Sequence, residues 1–263
     1  MQSKDKFKPV QSIYHVLQLI ETFRESASYS RELGVTELSK RLSLHKNNVF
    51  RLLATLHSRG YIEQNPETEN YKLGINIFSL GQKFAKNLGL LNIAKPFMHE
   101  AAEKLDETLY IGILREGHAI YLDVVESMKA VQVVPRVGKD VPAYCTAIGK
   151  IQLAYASDEE INKMYMGARL KKYTKNTITS LPELKRHLDI VAKNDYAIDN
   201  EEFEEGVGCV AVPIKDYLGI AAAGLSLSSP SYRMTEEVIQ KEVLPVLKRY
   251  AKEISKRLGY QGS

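Results

Sequence analysis

The chain has 263 residues, 44% hydrophobic and 26% charged, ordinary values for a folded globular protein and far from those of a disordered chain. It lacks a run of 18 apolar residues, so no membrane-spanning helix is expected, and the polar start Met1-Gln-Ser-Lys-Asp-Lys-Phe-Lys8 has no apolar signal core. Cys145 and Cys209 give neither a disulfide framework nor a zinc spacing, and a cytoplasmic protein is expected.

The net charge of +4 is unevenly placed. Residues 1–74 hold 11 basic and 8 acidic side chains, while the remaining 189 hold 25 and 24. Residues 35–60 carry Lys40, Arg41, Lys46, Arg51 and Arg59 against the single acid Glu37. Such a cluster suits either a nucleic-acid surface or a solvated helix face.

In chain order, the spacing of Ile13, Val16, Leu17 and Ile20 predicts an amphipathic helix over residues 11–24. A second short helix is expected over 37–42 with Thr36 as its cap, then a tight Ser43-Leu44 connection. A third is expected over 45–58, ending at Gly60. It turns Val49, Leu52, Leu53 and Leu56 inward and Asn47, Asn48, Arg51 and Thr55 outward, with Lys46 in its first turn. A short helix, a tight turn and a longer polar-faced helix make a helix-turn-helix, or an ordinary helical bundle. Arg and Asn can grip guanine and adenine edges bidentately, and Lys can neutralise a phosphate. Residues 61–64 and 71–73 then read as a hairpin around Asn65-Pro-Glu-Thr-Glu-Asn70, which completes a winged arrangement. The wing carries Glu63, Glu67 and Glu69, a poor charge for a phosphate contact.

A connector helix is expected over 76–88, with Ile77, Phe78, Gly81, Phe84, Ala85 and Leu88 along one side, as a dimer contact or as packing on its own domain. Beyond it, helices are expected over 95–105 (opened by Pro96), 149–155, 158–166, 183–194 and from Thr235 to 258. Strands are expected over 109–114, 119–125, 131–134, 210–214 and 220–227. Helices and strands mix without βαβ alternation, so the class is α+β.

Catalytic motifs are absent. The chain holds no GxxxxGK[ST], GxSxG, HExxH or CxxC, and neither a cofactor nor a metal site is indicated. Cys209 reads as a nucleophile or as a small residue starting a buried strand, and the acids of 199–205 as a cation site or a solvated loop. An enzyme using Cys209 or Asp199, or a ligand-binding module whose head grips protein, are the competing classes.

Three segments, Tyr144-Cys-Thr-Ala-Ile-Gly149-Lys150, Asp199-Asn-Glu-Glu-Phe-Glu-Glu-Gly206 and Cys209-Val-Ala-Val-Pro213, together resemble the IclR family of bacterial transcription regulators. Ala222-Ala-Gly-Leu-Ser226-Leu-Ser228 and Leu44-His-Lys46-Asn-Asn-Val-Phe-Arg51-Leu-Leu-Ala-Thr-Leu56 extend the resemblance over nearly the whole chain. It implies a winged helix-turn-helix over 1–75, a linker helix over 76–92 and a GAF-like effector domain over 93–263. It also implies a homodimer or tetramer, repressor or activator, on palindromic double-stranded operator DNA, and no enzyme. Within the family, Arg136-Val-Gly138, Thr146-Ala-Ile-Gly-Lys150 and Thr177-Ile-Thr179 resemble a subgroup that responds to 2-keto-3-deoxygluconate, one of several small organic acids or aromatic acids sensed by such proteins.

The resemblance implies DNA contacts from Lys46, Asn47, Asn48, Arg51 and Thr55, with His45 a poorer cap than the usual Ser. For the effector it implies backbone N–H groups of Ala147 and Ile148, polar contacts from Asp199, Cys209, Ser226 and Ser228, and apolar walls at Val133, Val141 and Val207. Tyr144 and Arg136 are further polar candidates.

Overall fold

The computed structural model describes residues 9–24, 32–87, 89–134, 138 and 140–262. Helix α1 (Gln11–Arg24) shows how two apolar faces can share one periodicity. Val16, Leu19, Ile20 and Phe23 pack into the core at helical spacing, whereas Ile13 and Leu17 stay 59% and 53% exposed. The expected stripe therefore shares only Val16 and Ile20 with the face that meets the core.

Helix α2 (Val35–Leu42) starts earlier than expected, capped by Gly34 and not by Thr36. The cause lies outside the helix. Leu33 and Tyr71 exchange backbone hydrogen bonds of 2.9 and 3.0 Å, so the chain is extended up to residue 34 and turns immediately after it. Ser43, at φ 54°, makes the tight turn into α3 (Lys46–Ser58). Strands β1 (Ile62–Gln64) and β2 (Tyr71–Leu73) pair antiparallel as the wing, followed by α4 (Ile75–Asn87). Leu19, Leu33, Leu38, Val49, Leu53, Ile62 and Tyr71 form a wholly apolar core beneath α1–α3 and the wing.

The chain divides into two compact units, Met1–Leu88 and Gly89–Ser263. The second opens with α5 (Leu90–Leu105), which begins five residues before the expected start, so Pro96 lies inside the helix and not in its first turn. Strands β3 (Thr108–Arg115) and β4 (His118–Val125) follow, then β5 (Asp140–Pro142), α6 (Ala147–Leu153), α7 (Asp158–Tyr165) and α8 (Leu181–Asn194). The edge strand β6 (Ala197–Asn200) precedes β7 (Val207–Lys215) and β8 (Ala221–Pro230). A last helical stretch runs through α9 (Glu236–Val238), a π turn and α10 (Leu244–Arg257), capped by the Thr235 hydroxyl, which accepts from the Val238 N–H.

The described strands of this unit form one antiparallel sheet in the order β5-β4-β3-β8-β7-β6. Alternation along β7 and β8 sends Val210, Val212, Leu225 and Leu227 to the face of α5 and α10, and Cys209, Ala211, Ser226 and Ser228 to that of α6. Every residue of α6 is buried, as for a helix enclosed on all sides. It packs directly against the sheet. Gly112 and Gly224 face each other across β3 and β8, and a Cβ on Gly224 would come within 2.7 Å of Ile148.

Residues 131–134 do not form the expected strand. Side chains hold the segment instead. The Arg233 guanidinium donates to the Val131 carbonyl (2.8 Å) and the Tyr110 hydroxyl to the Val134 carbonyl (3.4 Å). Its β-branched residues gave a strand signal, but among the described residues no strand pairs with it.

Candidate functional site

The reading helix is short of its own capping. His45 stands at the N-cap of α3 without a side-chain hydrogen bond, which leaves the first turn open beside Lys46 and Asn47. Lys46, Asn47, Asn48, Arg51 and Thr55 are all exposed. Asn48, Arg51 and Thr55 line a groove with Ser12, His15 and Val16 of α1, and Lys46 and Asn47 are not part of its lining. Thr55 donates its hydroxyl to the Arg51 carbonyl (2.9 Å), so it faces a partner as an acceptor only.

The wing presents acid. Glu63 pairs with Lys72 at 3.5 Å, and Glu67 and Glu69 are exposed at the turn. Glu32 joins them by accepting from Asn65 and Thr68, and those bonds hold its carboxyl below the usual range. Phosphate binding by this tip is electrostatically disfavoured.

In the second unit, sheet register builds a polar row. Asp199, Cys209, Ser228 and Thr108 lie directly opposite one another across β6, β7, β8 and β3. Cys209 Sγ is 3.1 Å from Ser228 Oγ. The next row on the same face is Ala197, Ala211, Ser226 and Tyr110. A small cleft, open to solvent, lies above the first row. Its lining brings together the predicted Val133, Asp199, Val207, Cys209 and Ser228. Thr146, Glu204 and the rings of Tyr110, Tyr121 and Phe203 complete it.

The other predicted residues lie beside the cleft. Ser226 belongs to the second row and is buried. Val141 pairs with Ala119 and packs in the apolar cluster under α6, together with Ala147 and Ile148, which follow the lining residue Thr146. Tyr144 donates its hydroxyl to the Lys171 carbonyl (2.7 Å) within a separate cluster. Arg136 lies outside the described residues.

The segment expected as a solvated acidic loop is partly internal. Asp199 and Glu202 are only 3% and 6% exposed. Asp199 accepts from the Glu202 N–H (2.7 Å), and burial pushes its carboxyl up to about 7, with Glu202 adding to the rise and Lys150 and backbone N–H groups opposing it. Lys150, wholly buried in α6, ion-pairs with Glu202 and donates to the Ile198 carbonyl. Thr174 and Thr177 donate to the Glu201 and Glu202 carbonyls at 2.6 Å. Four side chains thus fasten the loop that carries Phe203 and Glu204 into the cleft.

A second fastening holds the opposite wall. Glu107, buried immediately before β3, receives Arg233 (2.7 Å) and Lys129 (2.9 Å), and Arg233 reaches on to Val131. Neither fastening was read from the sequence. The signal for the first was there: a lone lysine in the apolar run Ala147-Ile-Gly-Lys-Ile-Gln-Leu153 demands an internal partner. Cys145, which burial pushes far up and away from thiolate, is an inert core residue.

Among the described residues no group of metal-ligating side chains assembles, and no helix is long and apolar enough to cross a membrane. The IclR helix-turn-helix domain model matches residues 12–66, and the bacterial transcriptional regulator IclR C-terminal model matches residues 82–256. The chain is 38% identical over 251 residues to the HTH-type transcriptional regulator KdgR of Escherichia coli, covering 95% of this chain and 94% of that one. Thermotoga maritima IclR is similar in structure, with a TM-score of 0.77 at 29% identity over 96% of this chain and all of that one. The C-terminal domain of Escherichia coli KdgR covers 65% of this chain and 99% of its own, at 38% identity and a TM-score of 0.59. An exposed polar reading helix, a winged head and a sheet domain with a cleft, matched by the two family models over residues 12–66 and 82–256 and by a regulator over 95% of this chain, place it in the IclR family of bacterial transcriptional regulators.

Proposed function

We propose that this regulator is a cytoplasmic repressor of a carbon-catabolic operon, released by a small hydroxylated organic acid such as 2-keto-3-deoxygluconate. Residues 1–75 read operator DNA, 76–92 link, and 93–263 bind the effector. Two copies, or two pairs, place their reading helices on a palindromic operator. The observation that carries the effector class is the chemistry of the cleft. Among its described lining residues none is basic, while Asp199, Glu204, Ser228, Cys209 and Thr146 supply oxygen and sulfur partners. Carboxylates bind ligand hydroxyls well, and the effector's own carboxylate meets the backbone N–H groups of Ala147 and Ile148. Val133 and Val207 take its apolar carbons. The effector changes operator affinity only as far as it prefers one arrangement of the paired heads over the other.

The test is a melting screen of the full chain with 2-keto-3-deoxygluconate, glyoxylate and aromatic acids. A ligand that binds only the folded state raises the melting temperature. The hydroxylated acid should give the largest rise and should weaken operator binding. If no acid shifts the melt, the effector reading fails. Operator affinity should also fall steeply with salt as phosphate contacts release counterions, and a flat response would remove the DNA reading.

A further inference from the structure

Phe50 belongs neither to the core of the head nor to the polar contacts of α3. It is the large apolar residue of α3 that faces water, 57% exposed, while Val49, Leu53 and Leu56 are buried. It follows Lys46 by four positions and Asn47 by three, so it shares their side of the helix, and Arg51 is the next residue. The other exposed large apolar residues described in this unit come in runs, Val10, Ile13, Tyr14 and Leu17 in and just before α1 and Leu73, Ile75, Phe78 and Leu80 in and just before α4. A run suits another apolar surface. A solitary ring set beside Lys46 and Asn47 does not, because covering it with an apolar partner would bury those polar and cationic groups without partners.

A surface that satisfies both requirements has donors, acceptors and phosphates around one small apolar group. The major groove offers that at thymine, whose C5 methyl stands beside base-edge oxygens and nitrogens. We propose that Phe50 is a specificity-determining residue that reads a thymine methyl in the operator, beside base or phosphate contacts made by Lys46 and Asn47. The proposal rests on α3 being the DNA reader, and its test separates the two.

The full-length protein first selects its operator from a randomised duplex pool. Each thymine is then replaced singly by deoxyuridine, which removes the methyl and nothing else. Wild-type affinity should fall about fourfold at one position, the size expected for one methyl returned to water. Phe50→Ala should bind more weakly than wild type and show no response at that position, while Phe50→Leu keeps part of the response. Because Phe50 is exposed, the variants should keep the wild-type circular dichroism and melt. If wild type and Phe50→Ala respond alike to every replacement, the proposal is overturned and α3 still reads DNA by its polar residues. If the pool yields no preferred sequence, the DNA reading falls and the proposal with it.

Discussion

The two units handle polar chemistry in opposite ways. In the head, the described buried side chains are apolar apart from Thr22, and the candidate contacts of α3 all lie in water. In the second unit, Lys150, Glu202, Asp199, Glu107, Thr174, Thr177 and Ser228 are buried around the cleft. A reader meets a partner whose phosphates strip its hydration on contact, so its groups can wait exposed. A sensor must hold acceptors and donors in a dry site before the ligand arrives, and each one needs a fixed companion. The difference teaches that mutations in the head should alter binding with little loss of stability, and that mutations behind the cleft should do the reverse.

The largest effect should come from Lys150→Met. It strands Glu202 in the interior, and breaking a buried pair from one side costs about 3–5 kcal/mol. Calorimetry should show the second unit melting earlier and the head unchanged, and the double variant Lys150→Met/Glu202→Leu should recover part of the loss. Equal loss in both units would erase the contrast between them. Arg233→Ala comes next. It removes a two-point hold on Glu107 and the grip on Val131, with about 1.5–3 kcal/mol expected for hydrogen bonds to a charged group. Hydrogen exchange of residues 131–134 should accelerate and effector affinity should drop, while operator affinity in the absence of effector stays put.

Arg51→Ala is the mirror test. It should cost about 1–3 kcal/mol of operator affinity if it reads a base, with no change in melting temperature. Smallest is a pH effect. Asp199 is held neutral by the fold up to about 7, whereas the unfolded chain ionises it near 4. Between those values the folded state binds more protons, so this group's contribution to stability declines as pH rises. Asp199→Asn should flatten the thermal stability between roughly pH 4 and 7, and an unchanged pH profile would show that other groups govern it.

The helices of the head were legible because each carries a strong 3.6-residue period and a clear end, as at Gly60. What α1 did not disclose was which of two equivalent stripes faces inward, since Ile13 and Leu17 repeat with the same period as Leu19 and Phe23. The start of α2 was hidden for a different reason: a bridge from Leu33 to Tyr71, 38 residues away, sets it. In the second unit the cleft's row of Asp199, Cys209 and Ser228 came from resemblance, because cross-strand register is not written in any one strand. Burial of Asp199 and Glu202 was masked by their acidic neighbours, and the segment 131–134 imitated a strand through composition alone.

The glycine pair beneath α6 has a bearing on how effector choice can drift. With no side chain at Gly112 or Gly224, Ile148 rests on bare backbone, and the height of α6 above the sheet is set there. Thr146 at its tip forms part of the cleft, and Lys150 further along ties down the loop bearing Phe203 and Glu204. One added methyl at Gly224 would raise the helix like a shim and move both walls together. Ligand selectivity in this sensor is therefore adjustable from the floor, by a residue no ligand would ever touch.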